Sequence, residues 1–227
     1  MKASTTAILL VAFALSGVMG AKAPKSPMTP KSPTTPAVDP HSACYNYFLN
    51  KDQCVHASQD PAHRCKGDTA SHALEGARLM TVQTGLERRY DNNRPVGVVQ
   101  KAKLAWSCER PKNPDASWKY GVCVWAGAGS AKTSTGWLDE NNKSNCGKQV
   151  YIQRRNDINN PKYARIIGGC DFGGVDPSVG CFNIALEQNL FDAFNPTAAE
   201  KNSQSIADIT WDFNALGGNK PNPDGAN

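Results

Sequence analysis

Eight cysteines, Cys44, Cys54, Cys65, Cys108, Cys123, Cys146, Cys170 and Cys181, constrain this chain more than any other feature. They follow a leader in which Lys2 gives a basic start, Ala7 to Leu15 is an unbroken apolar run, and Val18-Met19-Gly20 offers small residues at a cleavage point. That is the pattern of a secretory signal peptide over residues 1–20, too short and wrongly flanked for a membrane span. An even cysteine count behind such a leader implies disulfides formed in an oxidising compartment, with the connectivity left open by sequence alone. A secreted, extracellular protein with no membrane segment is expected. The single sequon, Asn142-Lys143-Ser144, agrees with that and marks Asn142 as a glycosylation acceptor on a surface loop.

The formal net charge is +5, a mild excess with no dense basic run interleaved with aromatics. Nucleic acid is therefore not an expected partner. Between residues 21 and 40, prolines recur at positions 24, 27, 30, 33 and 36, and Lys25-Ser26-Pro27 repeats as Lys31-Ser32-Pro33. That period suits a polyproline II spacer and cannot build a core. Residues 41–98 form a cysteine-containing N-terminal segment, with helical character from His72 to Arg89, a dibasic pair at Arg88-Arg89 and a turn at Asn92-Asn93-Arg94-Pro95. Cys54-Val55-His56 and His63-Arg64-Cys65 have zinc-type ligands but not finger spacing, and exported cysteines oxidise, so neither metal nor cofactor is expected.

From Val98 the texture becomes that of strands. Val98 to Trp106 and Gly121 to Trp125 are the first two. Val150 and Ile152 alternate with Gln149, Tyr151 and Gln153, the pattern of a half-buried strand. A turn at Asn159-Asn160-Pro161 precedes a strand over Tyr163 to Ile167. Leu186, Leu190 and Phe194 share one face of a short helix that Pro196 ends. Ala207, Ile209, Trp211 and Phe213 then alternate with Asp208, Thr210 and Asp212. Short strands with one small helix point to an all-β barrel over 99–213, followed by a flexible tail at 214–227.

The order of the motifs resembles a known family. Ser134-Thr135-Gly136-Trp137, then Cys146-Gly147-Lys148, then Ala164 to Cys170, then Cys181-Phe182-Asn183 before the helix, and finally Ile209-Thr210-Trp211 look like the barwin, kiwellin and expansin-type proteins, kiwellin above all. The resemblance implies a six-stranded double-psi β-barrel carrying one short helix and a small cysteine-containing N-terminal extension. For the barrel cysteines, Cys123 with Cys146 and Cys170 with Cys181 is the economical pairing, leaving Cys44, Cys54, Cys65 and Cys108 to pair among themselves. The competing barwin-like arrangement crosses them: Cys108 with Cys146, and Cys123 with Cys170.

Two departures from the family pattern bear on chemistry. Barwin-like strands carry an aspartate where this chain has Gly168, and expansins and related endoglucanases carry one where it has Asn183. Glycoside hydrolysis uses two carboxyl groups, and an amide neither gives a proton at neutral pH nor takes one. Asp171 and Asp176, beside Gly173-Gly174 and Pro177, read as turn residues. All four histidines precede residue 73, so a serine–histidine mechanism within the barrel is excluded.

Among the tryptophans, Trp211 alternates into the core and Trp106 lies in a strand. Trp118, Trp125 and Trp137 flank loops and are the surface candidates, with Trp137, next to Asp139 and Glu140, the first choice for a groove rim. The expected ligand groove therefore comprises Trp125, Trp137, Asp139, Asp171 and Asn183, with no catalytic residue. The resemblance implies a monomer that binds an extracellular polysaccharide or a secreted or host protein, as an effector or defence-type protein in a plant–microbe encounter. The competing expectations are an expansin-like wall-loosening protein, a polysaccharide hydrolase with a degenerate acid site, and an inhibitor of a secreted enzyme.

Overall fold

The computed structural model describes residues 40–65, 96–97, 103–127, 136–138, 141–174, 176–215 and 222–227. The leader, nearly all of the proline-rich spacer, the helical stretch at 72–89, the Arg88-Arg89 pair, the turn at 92–95 and Asp139 lie outside the described residues.

The first element is a helix, α1 (Ala43–Asp52), that periodicity did not announce. It starts where the Ser42 side chain accepts the Tyr45 N–H at 3.3 Å, and ends at Gln53 in the left-handed region, φ 60°. Cys44, Tyr45 and Phe48 lie on its buried face. The strands follow: β1 (Val96–Gly97), β2 (Lys103–Ser107), β3 (Gly121–Trp125), β4 (Gln149–Arg154) and β5 (Asp157–Asp171). After them come α2 (Pro177–Gly180), β6 (Ile184–Leu186), α3 (Gln188–Ala193), α4 (Ala198–Ser203), β7 (Ser205–Ile206) and β8 (Ile209–Phe213). The fold is all-β in character, with few and short helices; four of them are described where one was expected.

Six strands join in one curled sheet ordered β6-β3-β5-β4-β8, with β2 also on β5, and β1 pairs with β7 separately. The 15-residue β5 is its spine. On one edge β5 pairs antiparallel with β4 over its first part and with β2 over its last. On the other edge it pairs in parallel with β3, Gly121 opposite Arg165 and Trp125 opposite Cys170. Val122, Val124, Val150, Ile152, Ala164, Ile166, Trp211 and Phe213 are all buried in one core. The alternations expected in β4 and β8 hold in part: Val150 and Ile152 are buried beside half-exposed Gln149 and Tyr151, and Ile209, Trp211 and Phe213 are buried, but Gln153 and Thr210 are buried with them and Ala207 is exposed.

Three local expectations change. The hairpin turn is Arg155-Asn156, and Asn159-Asn160-Pro161 runs inside β5. Pairing with β4 jumps there, from Ile152 opposite Lys162 to Arg154 opposite Asp157, and such a bulge leaves proline free of the ladder. Leu186 belongs to β6, so the helix starts only at Gln188, and Pro196 separates α3 from α4. The last residues, expected as a loose tail, are hydrogen-bonded to the body over 222–227.

Helix α4 is locked at both levels. Thr197 and Glu200 form a reciprocal capping box, and Glu200 also takes both Arg154 guanidinium nitrogens, at 2.8 and 3.0 Å. The Arg154 hydrogen bonds, outweighing the opposing effect of burial, bring the Glu200 carboxyl from its ordinary 4.5 down to about 2. A carboxylate depressed by folding stabilises above its unfolded value and loses that contribution as pH falls through its folded value. Glu200→Gln should therefore cost roughly 1 kcal/mol near neutral pH, with the gap to wild type closing between 4.5 and about 2 in thermal unfolding at stepped pH.

The disulfides are Cys44–Cys181, Cys54–Cys65, Cys108–Cys146 and Cys123–Cys170. This is the crossed arrangement for Cys108, Cys123, Cys146 and Cys170, and it replaces the pairing of Cys123 with Cys146 and of Cys170 with Cys181. The sheet explains why. β3 and β4 lie on opposite edges of β5, so Cys123 is carried away from Cys146 and against Cys170 of the spine. β2 and the approach to β4 meet end to end on the other edge. There the Cys108 N–H donates to Ile167 O at 2.8 Å and the Gly147 N–H to Ile166 O at 2.9 Å, which brings Cys108 beside Cys146. Cys181 is left for Cys44 of α1, so the N-terminal cysteines do not pair only among themselves. No helix among the described residues is long and apolar enough to cross a membrane.

Candidate functional site

Asn183 ends a short segment that starts with α2. Asp176 caps that helix, its carboxylate accepting the Ser178 N–H at 2.8 Å, and Pro177 occupies the first helical turn. The Ser178 backbone and hydroxyl hold the Asp176 carboxyl below its ordinary value. Asp171, at the end of β5, accepts the Gly173 N–H at 2.7 Å, where Gly173 has φ 74°. Both aspartates thus serve turns. Asn183 itself is 9 % exposed, donates its N–H to Gly180 O at 2.9 Å, and leads into β6 against β3.

Three indoles hold this segment from below. Trp137 Nε1 donates to Cys181 O at 2.8 Å, and Trp211 Nε1 donates to Phe182 O at 2.9 Å. Trp125 acts by packing: Gly180 sits so close to it that an added Cβ would lie 2.2 Å from the ring, and among the described residues its Nε1 has no hydrogen-bond partner. Two consecutive carbonyls and the glycine before them are therefore fixed by three side chains from three parts of the sequence. The Cys44–Cys181 disulfide ties the same segment to α1. Trp137 further packs on Phe213 at 5.0 Å and Phe48 at 5.9 Å between ring centroids.

The structure thus brings Trp125, Trp137 and the Asn183 segment together, and the Trp137 N–H donates to Trp125 O at 2.8 Å. It overturns the surface role given to the two tryptophans. Both are 0 % exposed, so neither ring can stack on a sugar. A buried indole seeks an acceptor for its N–H, and Trp137 finds one in a loop carbonyl, which turns the ring inward. Trp211 is in the core, as its alternation predicts. Trp118 remains half-buried and packs beside Gly147, whose φ of 71° leaves no room for a bulkier residue without contact at 3.3 Å. Gly168 is buried in β5 between Ser107 and Cys123.

Elsewhere, Asn142 accepts the Ser144 N–H at 3.1 Å and its hydroxyl at 2.6 Å, a local turn on a part-exposed loop. Cys54 and Cys65 are joined to each other, and His63 Nδ1 instead bonds the buried Tyr45 hydroxyl at 2.7 Å, with Ser58 Oγ on the same hydroxyl at 2.8 Å. Burial raises the Tyr45 pKa, against the opposing hydrogen bond from Ser58. No protein-family model, curated protein or solved structure matches this chain.

Proposed function

We propose that this chain is a secreted, disulfide-stabilised double-psi β-barrel of the kiwellin type that recognises an extracellular ligand without hydrolysing it. The spine strand, with a parallel neighbour reached only after a long excursion, and the order of motifs support the barrel reading. Four disulfides support an oxidising destination.

One observation carries the non-hydrolytic reading. The position where the resembled families place an acid is a buried amide, Asn183; the two aspartates that precede it, Asp171 and Asp176, are committed to backbone N–H groups, and Glu187, which follows it, is paired with Arg110. Asp176, held below its ordinary value by the Ser178 backbone and hydroxyl, is a poor proton donor. The burial of Trp125 and Trp137 takes away the two indoles expected in the groove, leaving Trp118 half-buried elsewhere, and this favours a protein partner over a wall polymer.

The test is incubation of the pure protein with soluble β-glucan and chitin oligomers, read as new reducing ends, beside a polysaccharide pull-down and affinity capture from extracellular fluid. No reducing ends, no retention on polymer and capture of a secreted protein is the expected pattern. New reducing ends would overturn the non-catalytic reading, and retention on polymer would return the ligand to polysaccharide.

A further inference from the structure

Residues 222–227, Asn-Pro-Asp-Gly-Ala-Asn, lie between two walls as a strap: a turn closed by the Gly225 N–H on Asn222 O at 2.9 Å, followed by Ala226 and Asn227. One wall is the main chain of 57–59. The Ala226 N–H donates to Ala57 O and the Gln59 N–H to Ala226 O, both at 2.8 Å, and Ser58 and Ala226 make a parallel bridge. The other wall is 145–149. Buried Asn145 reads the main chain of Asn227 in both senses, accepting its N–H at 3.0 Å and donating to its carbonyl at 2.7 Å.

Side chains of the strap are read as well. Asp224 accepts the Gln149 N–H at 2.9 Å and Arg165 at 2.7 Å. Gly225 is the tight point: an added Cβ would stand 2.6 Å from the backbone of Gln59, and the ammonium of Lys148 bonds the Gly225 carbonyl. Lys148 is only 6 % exposed and also donates to Gln59 at 3.1 Å, so it spans the strap from wall to wall. Burial lowers the Lys148 ammonium to about 8, opposed by Asp224. Asn227 completes the set, its amide oxygen on His41 Nδ1 at 2.6 Å and its amide nitrogen on Pro40 O at 3.3 Å.

Main-chain bonds to the bound segment, with separate contacts for its side chains, are how proteins recognise peptides; here they hold a turn followed by one parallel bridge at Ala226. Ala226 is the one buried apolar side chain of the strap, and the Arg165–Asp224 pair keeps partial exposure. Such a polar, hydrogen-bonded occupant exchanges protein for water contacts at little net cost per bond.

We propose that residues 57–59 and 145–149, with Arg165, form a peptide-recognition groove filled in cis by residues 222–227. When the strap is displaced, the groove takes a peptide carrying Asn-Pro-Asp-Gly-Ala-Asn, in the same turn, from another chain. This is independent of the reading given to the Asn183 segment. A strap tethered in cis competes at an effective concentration in the millimolar range, on the order of what short linkers give, so a trans peptide is excluded from the wild-type chain at micromolar concentration.

The experiment uses the full chain and a dye-labelled hexapeptide Asn-Pro-Asp-Gly-Ala-Asn, followed by fluorescence anisotropy. Gly225→Val, which the 2.6 Å approach ejects from the groove, should bind the peptide at least about tenfold more tightly than wild type. Adding Lys148→Met to it, or valine in place of glycine in the peptide, should abolish that gain. Asp224→Asn, which loses the Arg165 ion pair but keeps the tight glycine, is the second variant and should show a smaller gain in the same direction. Disulfide mapping and near-ultraviolet circular dichroism identify which variants retain the fold, and Asp224→Asn carries the test if Gly225→Val does not. Folded variants that bind the peptide no better than wild type would overturn the proposal.

Discussion

Trp137→Ala should lower the free energy of unfolding by about 3–5 kcal/mol, the range for emptying a large aromatic from a packed core. The loss has two parts. The ring contacts with Phe48, Phe213 and Trp211 disappear, and the Cys181 carbonyl loses its Nε1 donor. Trp137→Phe separates them, because it restores much of the volume while leaving the carbonyl unbonded, at a cost of roughly 1–3 kcal/mol. Equilibrium urea unfolding with disulfides intact measures both. A surface tryptophan serving as a sugar platform would behave oppositely, with stability unchanged within about 0.5 kcal/mol and only ligand affinity lost. Such a result for Trp137 would remove the indole clamp from the account of the Asn183 segment.

Replacing Cys44 and Cys181 together by alanine should cost about 2–5 kcal/mol. Of the four bridges this one spans the greatest sequence separation, 137 residues, against 11 for Cys54–Cys65. In the chain-entropy view the long loop restrains the unfolded state more, so the Cys54/Cys65 double variant should be the milder of the two. The Cys44–Cys181 bridge also bears directly on the site, since it pins the segment between α2 and β6 whose carbonyls accept the two indole N–H groups. Mass mapping of a non-reduced digest should show the Cys44 peptide joined to the Cys181 peptide. A Cys170–Cys181 peptide in its place would contradict the sheet topology as well as the pairing.

The parts of this fold that could be read from sequence are those in which one face is buried and the other wet. β4 and β8 declare themselves by alternation because Val150, Ile152, Trp211 and Phe213 face the core from strands whose other side is largely polar. Helix α1 did not, because its buried side chains, Cys44, Tyr45 and Phe48, fill a single turn among Asn46, Asn50, Lys51 and Asp52; only Ser42 at its cap was a usable signal. The direction of Trp125 and Trp137 was illegible for a different reason. Loop residues such as Gly136 look solvent-facing in composition, yet an added Cβ at Gly136 would lie 2.2 Å from Trp125 O, so this loop lies tight against β3. The strap was hidden too: Asn222-Pro223-Asp224-Gly225 has turn composition, and its partners Asn145, Lys148 and Arg165 are far away in sequence. For the candidate site, the position of Asn183 before a short helix could be noticed in sequence, but the indole clamp beneath it could not.

The long spine strand has a consequence for how the molecule reaches this state. Only β4 is near β5 in sequence; Gly121 must find Arg165, and Lys103 must find Asp171. Contacts this distant close slowly, so the β4–β5 hairpin is the natural early structure and β2 and β3 arrive afterwards. During that interval the last third of β5 offers two bare edges to any other chain, the situation that seeds strand-to-strand aggregation. Gly168 and Gly169 lie within that stretch, where later both β2 and β3 must dock. Glycine weakens isolated strand formation, and a pair of them keeps this stretch a poor template until its proper neighbours arrive. Gly168 thus lowers the intrinsic strand propensity of the one stretch of β5 that β2 and β3 must both reach from far away in sequence.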